Sequence, residues 1–511
     1  MACPAGSACV RRFLREAEPA VSIINPRRPA PLLGIAMMAL VLAFAFLGSR
    51  GIWDPDEGRY TNVAINMLQS GDWITPRRND DVGHWTKPPL TYWAIAASVG
   101  ALGATPWAAR LPSALAYLLC VWLAWRITRR FMPPAATTAA VVYATMLLPF
   151  GASQLITTDF ILAGCETLAV WAYVESRWGP SHPRRWIILM WAAFALAFLT
   201  KGPPGLLPLL ALLVCDGLLP RPRRVLQLTG IATFLVLALP WYVTVSLNTP
   251  GLLEYFVLDE VAHRVATDEF ARNGQWYGWI VVYLPTLVLG SLPWTASLWR
   301  ALRRLPAHAR RWREAGVRAQ EAHLLLLALW VVLPLIVFCL ARSRLPLYVL
   351  PLFVPLAILV AIRRHDEGRP LPRAQWLVAW CALLLVLKLA AAAWPSHKDA
   401  GEWAAALRAR VPEKIHEVVF VEDMARYGLR LHLGAEVEKV SLLPQPGARF
   451  NPEFDEDLAT ELAEDEPGVV YITKQTRWRE VRDAIEAHGY RTEIRGTPFY
   501  GRVIFTLARA P

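Results

Sequence analysis

Apolar runs of roughly 15–23 residues recur along this chain from Pro31 to Trp394, each long enough, or nearly so, to cross a hydrocarbon core of about 30 Å. No soluble core hides that much apolar surface. With 55% hydrophobic and only 18% charged residues, the chain reads as an all-α polytopic membrane protein.

After Trp394 the character changes. Ser396–Pro511 carries 16 Lys/Arg and 20 Asp/Glu, a net of −4 in a chain whose net is +12. The basic excess therefore belongs to membrane loops, as the positive-inside rule requires, and not to nucleic-acid binding. Strand-like segments at Val418–Glu422, Val437–Leu442, Gly468–Thr473 and Val503–Leu507, with a helix-like Arg479–His488, make this tail a small α/β domain. Of the seven cysteines none lies in that tail, which excludes a disulfide framework there; the five in apolar segments read as packing residues. The expected division is a cytoplasmic tail over 1–30, a membrane domain over 31–395 with outer loops at 50–106 and 248–276, and an outer domain over 396–511. Pro31–Gly48 reads as a retained first span, not a cleaved leader.

Arginines ahead of Pro31 set the N-terminus inside, and each later basic cluster fixes another inner loop. Leu90–Leu102, at 13 residues, reads as a helix lying at the outer interface. The crossings are then Pro31–Gly48, Trp107–Trp125, Ala135–Phe150, Thr158–Tyr173, Trp186–Thr200, Pro204–Leu219, Leu226–Ser246, Trp276–Leu298, His323–Leu340, Leu345–Ile362 and Trp376–Trp394, about eleven within an expected range of 11–13. On this threading Asp56, Lys87, Asp159, Lys201, Arg264, Arg342, Arg344 and Tyr348 all fall on the outer face, although charge bias alone placed them.

The densest of these groups is Trp53–Trp93, with W-D-P-D-E-G-R-Y, M-L-Q-S-G-D-W and K-P-P-L-T-Y-W. Each motif has a plain reading: a helix cap, a snorkelling lysine, a solvated loop. Together they put more charge beside a bilayer than those roles need. Asp56 reads as a carboxylate aimed into a cavity and Lys87 as a cation for a phosphate at headgroup level. Asp159 ends a span, and Lys201-Gly202 joins two. The loop Leu253–Trp276 brings Arg264, and Arg342-Ser343-Arg344 with Tyr348 forms a further phosphate-type site. No P-loop, dinucleotide fingerprint or Cys/His zinc pattern occurs. A nucleotide-using enzyme is therefore not expected, and energy would come from an activated substrate on the outer side.

As a set, W-D-P-D-E-G-R-Y…M-L-Q-S-G-D-W-I-T-P…K-P-P-L-T-Y-W, Thr200-Lys201-Gly202, Leu239-Pro240-Trp241, Glu260-x-x-x-Arg264, Gly290-Ser291-Leu292-Pro293-Trp294 and Arg344-Leu345-Pro346-x-Tyr348 resemble the aminoarabinose lipid A transferases. These are GT-C membrane glycosyltransferases related to the dolichyl-phosphate-mannose protein mannosyltransferases. The resemblance covers roughly Trp53–Ile362. It implies a polyprenyl-phosphate sugar donor, inverting transfer to a lipid A-like glycolipid, a glycan or a protein, and an active site on the periplasmic side of a bacterial inner membrane. Asp56 and Asp159, with Glu57, form the expected catalytic set. Lys87, Arg264, Tyr60, Arg344, Tyr348 and Lys201 form the expected donor-phosphate set. No cofactor is expected, with a divalent cation left open. The chain departs from the aminoarabinose pattern at Thr86, where those enzymes have Glu, and at Val261, where they have His; donor sugar and acceptor stay open on that account. The rival reading is a lipid or sugar transporter whose outer vestibule carries these charges.

Overall fold

The computed structural model describes residues 30–180, 182–220, 225–257, 272–445 and 449–509. Helices occupy the region up to Ala393, and a mixed sheet organises the rest. Among the described residues six helical runs are each long and apolar enough to cross a bilayer: Pro106–Phe131, Pro183–Lys201, Leu228–Asn248, Ala322–Leu340, Pro346–Asp366 and Ala374–Ala393. Ala30–Phe44 and Leu207–Leu218 are shorter apolar helices, and Thr158–Trp178 is a 21-residue helix carrying Asp159, Glu166, Glu175 and Arg177. The protein is a multi-pass membrane protein. The Pro346–Asp366 run is the most enclosed, whereas Leu228–Asn248 and Ala374–Ala393 turn most of their surface outward, where lipid replaces protein as the apolar partner.

Two expected crossings are not straight helices: Ala135–Phe150 is interrupted between Ala136–Thr145 and Leu147–Ala152, and in Trp276–Leu298 the helix Gly278–Gly290 ends and the chain turns by 115° into Thr295–Arg311. Pro293 has no N–H to continue a helical ladder. Ser291 takes up the turn by donating its hydroxyl to the Val288 carbonyl (3.1 Å). By contrast Leu90–Leu102 is the expected short helix, about 20 Å long at 1.5 Å per residue. It buries Tyr92, Ile95, Ala96 and Val99 against Val63, Ala64 and Met67 of the helix Asp56–Ser70. That helix stops at Gly71, whose φ of 72° is the left-handed cap a glycine supplies cheaply.

In the tail six strands, β1 (Glu417–Val421), β2 (Glu436–Ser441), β3 (Glu456–Asp457), β4 (Val469–Lys474), β5 (Tyr490–Ile494) and β6 (Arg502–Arg509), form one sheet in the order β3-β2-β1-β4-β6-β5. β3, β2, β1 and β4 run parallel, and β6 is antiparallel to both β4 and β5. Side chains of β1 alternate between two cores: Val418 and Phe420 on one face, Val419 and Val421 on the other. Burial on both faces explains why β1 reads as a continuous apolar run.

This sheet domain is docked onto the stretch between Gly51 and Trp85 by directed polar contacts. The Gly51 N–H donates to Asp399 (3.0 Å), the Gly428 N–H to Asp54 Oδ1 (3.1 Å), Asn79 Nδ2 to Glu438 (2.5 Å), and the Trp85 N–H to Asn451 Oδ1 (2.9 Å). Arg78 pairs with the buried Asp455. Gly58 is forced by the same docking, because a Cβ there would collide with the Asp54 carboxylate and the Gly428 nitrogen. The helix Asp56–Ser70 is thus held from the membrane side and from the sheet side.

Candidate active site

Within W-D-P-D-E-G-R-Y neighbouring residues point in different directions, as helical geometry requires. Asp56, Arg59 and Tyr60 share one side and open into a cavity of about 320 Å³, which His84, Thr86, Lys87, Asp159, Lys201, Arg272 and Tyr348 also line. Six residues expected at the site, Asp56, Tyr60, Lys87, Asp159, Lys201 and Tyr348, are therefore gathered in one cavity from four separate stretches of chain.

Two ion pairs organise the described charges of the cavity. Asp56, at the exposed start of its helix, accepts from Arg59 at 2.5 Å. Asp159 sits in the first turn after the Thr157 cap and pairs with Lys201 Nζ at 2.5 Å. The same ammonium lies 4.3 Å from the centre of the Tyr348 ring, a cation–π contact. Gly202, with φ of 70°, turns the chain immediately beyond Lys201. Lys87 donates to the Thr86 carbonyl (2.6 Å), and the Thr86 hydroxyl meets His84 Nε2 at 2.8 Å. Among the described residues four cations, Arg59, Lys87, Lys201 and Arg272, and two carboxylates, Asp56 and Asp159, line the cavity.

Protonation states follow from this enclosure. Burial, followed by the charges of Arg59, Arg78 and Lys87, holds the His84 imidazole well below its ordinary range, so it is neutral. Burial, with the Asp159 carboxylate adding to it, pushes the Tyr60 phenol up to about 12. That hydroxyl keeps its proton and can donate to an anion.

A second cavity, of about 280 Å³, shares Thr86, Lys87, Lys201, Ser343 and Tyr348 with the first, and its walls include Leu162, Leu207, Phe256, Val337 and Phe338. Polar and apolar chambers meet at the two lysines. That is the shape a phosphate on a long hydrocarbon chain would fill.

Two expected residues lie elsewhere. Glu57 does not line the cavity. It is 2% exposed and clasped between Arg50 (2.6 and 3.0 Å) and Arg110 (2.9 and 3.2 Å), while accepting from the Trp53 and Ile156 N–H groups. Burial alone would raise its pKa; Arg110 and Arg50 outweigh burial and hold it at about 2. Glu57 is thus an ionised structural clamp fixing Asp56's helix to the stretch ahead of Asp159. Arg344 is also buried. Its guanidinium is spent on the carbonyls of Asn273 (2.8 Å), Gln275 (2.7 Å) and Cys339 (3.0 Å), tying Asn273–Gln275 to the end of the helix Ala322–Leu340. Arg264 falls outside the described residues.

The sequence reading missed Arg59, His84 and Arg272 as cavity residues. The i,i+3 spacing of Asp56 and Arg59 was an available signal; His84 and Arg272 had none. Among the described residues the one acidic group with metal-ligand spacing, Glu417, Glu438 and Glu461, belongs to the sheet domain and lies outside both cavities.

A family model described as dolichyl-phosphate-mannose-protein mannosyltransferase matches residues 86–244. The fold is similar to the crystal structure of ArnT from Cupriavidus metallidurans bound to undecaprenyl phosphate, with a TM-score of 0.74, 21% identity, and coverage of 93% of this chain and 97% of that one. Fold and cavity together define a GT-C-type membrane protein. An undecaprenyl phosphate-alpha-4-amino-4-deoxy-L-arabinose arabinosyl transferase from Aeromonas hydrophila is 32% identical over 71% of this chain and 67% of its own length. A Pseudomonas fluorescens relative of the same description is 31% identical over 66% and 60%. The chain belongs to this arabinosyl transferase family. It spans about three fifths of the length of most of the curated relatives it matches.

Proposed function

We propose that the chain is a glycosyltransferase that moves a sugar from a polyprenyl-phosphate donor to a hydroxyl acceptor at the periplasmic face of a bacterial inner membrane. The observation carrying this reading is the junction of a cation-lined chamber with an apolar one at Lys87 and Lys201. A free sugar phosphate would need only the first chamber and a lipid only the second.

In the proposed reaction the donor phosphate sits among Lys87, Lys201, Arg272 and the Tyr60 hydroxyl, with its isoprenoid chain in the apolar chamber. Asp56, the more exposed of the two cavity carboxylates, takes the acceptor proton. The acceptor oxygen attacks the anomeric carbon, the carbon–oxygen bond to phosphate breaks, and configuration inverts. The cations stabilise the charge that develops on the departing polyprenyl phosphate. Asp159 acts mainly by placing Lys201. Arg264, outside the described residues, completes the phosphate set on family grounds.

The donor suggested by the relatives' names is undecaprenyl-phosphate aminoarabinose, and the acceptor suggested by the family is a lipid A-like glycolipid. Thr86 engages His84 and brings no carboxylate, so an aminosugar's ammonium would rely on Asp56. The test is transfer of label in membranes from radiolabelled polyprenyl-phosphate aminoarabinose and from a neutral sugar donor, with wild type and Asp56→Asn compared. Label reaching a glycolipid, glycan or protein only with wild type supports the reading. Lipid or sugar movement without transfer, unaffected by Asp56→Asn, would overturn it.

A further inference from the structure

Away from the donor cavity, a crevice of about 210 Å³ opens between the first apolar helix, the Leu147–Ala152 turn and the helix Ala374–Ala393. Its walls are apolar, including Phe46, Leu147, Phe150 and Leu387, yet two cations, Arg50 and Lys388, also line it. Phe46 and Leu387 are each nearly half exposed, so the crevice is open at the lipid-facing surface.

Lys388 is the single charged side chain of the helix Ala374–Ala393. An ionisable group inside a membrane helix calls for a partner. The partner here is the Ala45 carbonyl, which satisfies one of the three ammonium protons. The neighbouring charges, Arg50 and Arg110, repel it. Around this end of the molecule three cations, Arg50, Arg110 and Lys388, face the carboxylates of Glu57 and Asp399. Glu57 is already saturated by the two arginines and two N–H groups, and Asp399 by the Gly51 and Gly401 N–H groups (3.0 and 2.8 Å). Neither carboxylate is placed to balance Lys388. Trp53, stacked 4.1 Å beneath the Arg50 guanidinium, supplies an interfacial aromatic at the same level.

We propose that this crevice binds an anionic membrane phospholipid. Lys388 is the direct contact to its phosphate, Arg50 adds positive charge from the wall, and one acyl chain lies along Phe46, Leu147 and Phe150. The site is separate from the donor cavity and stands whether or not transfer is found.

The test is native mass spectrometry of the delipidated full chain, re-supplied separately with phosphatidylglycerol, phosphatidylcholine or inorganic phosphate. Wild type should retain phosphatidylglycerol about tenfold over phosphatidylcholine. Lys388→Met should abolish that preference, and Lys388→Arg should keep it. Thermal melting in detergent verifies that Lys388→Met is folded; should it unfold, loss of the preference in the folded Lys388→Gln variant decides the same point. Equal retention of the two lipids, a preference surviving the loss of Lys388's charge, or displacement of phosphatidylglycerol by millimolar phosphate would each overturn the proposal.

Discussion

Asp56 and Glu57 are adjacent carboxylates with opposite fates, and the contrast separates structural charge from working charge. Glu57 is closed: two arginines and two N–H groups surround it in a buried clasp, with little left to offer a ligand. Asp56 is open: it pairs with Arg59 at the mouth of a cavity lined by several cations. Both belong to one charged motif, and burial and partner count, not residue type, tell them apart. Arg344 and Lys201 repeat the lesson among the cations. One is spent on three backbone carbonyls, and the other pairs with Asp159 at the wall of the cavity.

The largest expected effect probes the closed side. Glu57→Ala strands two buried guanidiniums and should destabilise the protein by about 3–5 kcal/mol, as removal of one partner of a buried pair does. Detergent-solubilised thermal melts would show a markedly lower Tm, and an unchanged melt would break the contrast. On the open side Lys201→Met removes one partner of a single pair, with Asp159, so it should lower the melt less than Glu57→Ala does while lowering transfer by roughly 10²–10³, the scale for losing one transition-state electrostatic contact. If it unfolds the chain instead, Lys201 belongs with Glu57.

A third effect concerns Asp54, beside both. Burial pushes its carboxyl up to about 8, against the Gly428 N–H and Arg426, which pull the other way. The fold therefore prefers the protonated acid. That contribution is fully present below the unfolded pKa, about 4, and is lost as pH rises through about 8. Asp54→Asn removes this dependence, so the variant's stability relative to wild type should climb between pH 5 and 8. A difference flat with pH would show that Asp54 stays ionised. Smallest of all, Arg344→Lys keeps the charge but not the fork that reaches three carbonyls. It should weaken transfer only modestly, through the placement of Arg272, and a loss as deep as that of Lys201→Met would return Arg344 to the phosphate site.

Much of this molecule was legible before any coordinates. Apolar runs announced the membrane helices, Leu90–Leu102 is the expected short helix, and the shift to a net acidic composition marked the tail as a separate unit. The cavity was visible as a set of motifs because polar residues crowded beside a bilayer have few innocent explanations. What stayed hidden was pairing. Glu57 is fixed by Arg110, 53 positions away, and Arg50 by the Gln154 carbonyl, 104 positions away, and no local pattern reports such partners. The break at Ser291–Trp294 was read as part of a continuous run because its flanks are uniformly apolar. The short β3 and the half-exposed β5, Y-R-T-E-I, lack the apolar signature that revealed β1.

The central claim is that Lys87 and Lys201 bind a phosphate carried on a hydrocarbon chain at the junction of the two chambers. Its most direct test is the affinity of undecaprenyl phosphate, without sugar, for wild type and for Lys87→Ala, beside the affinities of undecaprenol and inorganic phosphate. Tight binding by wild type that falls at least about tenfold in Lys87→Ala, with both fragments binding far more weakly, is the predicted result. Undecaprenol binding as well as its phosphate, or an affinity indifferent to Lys87, would contradict it.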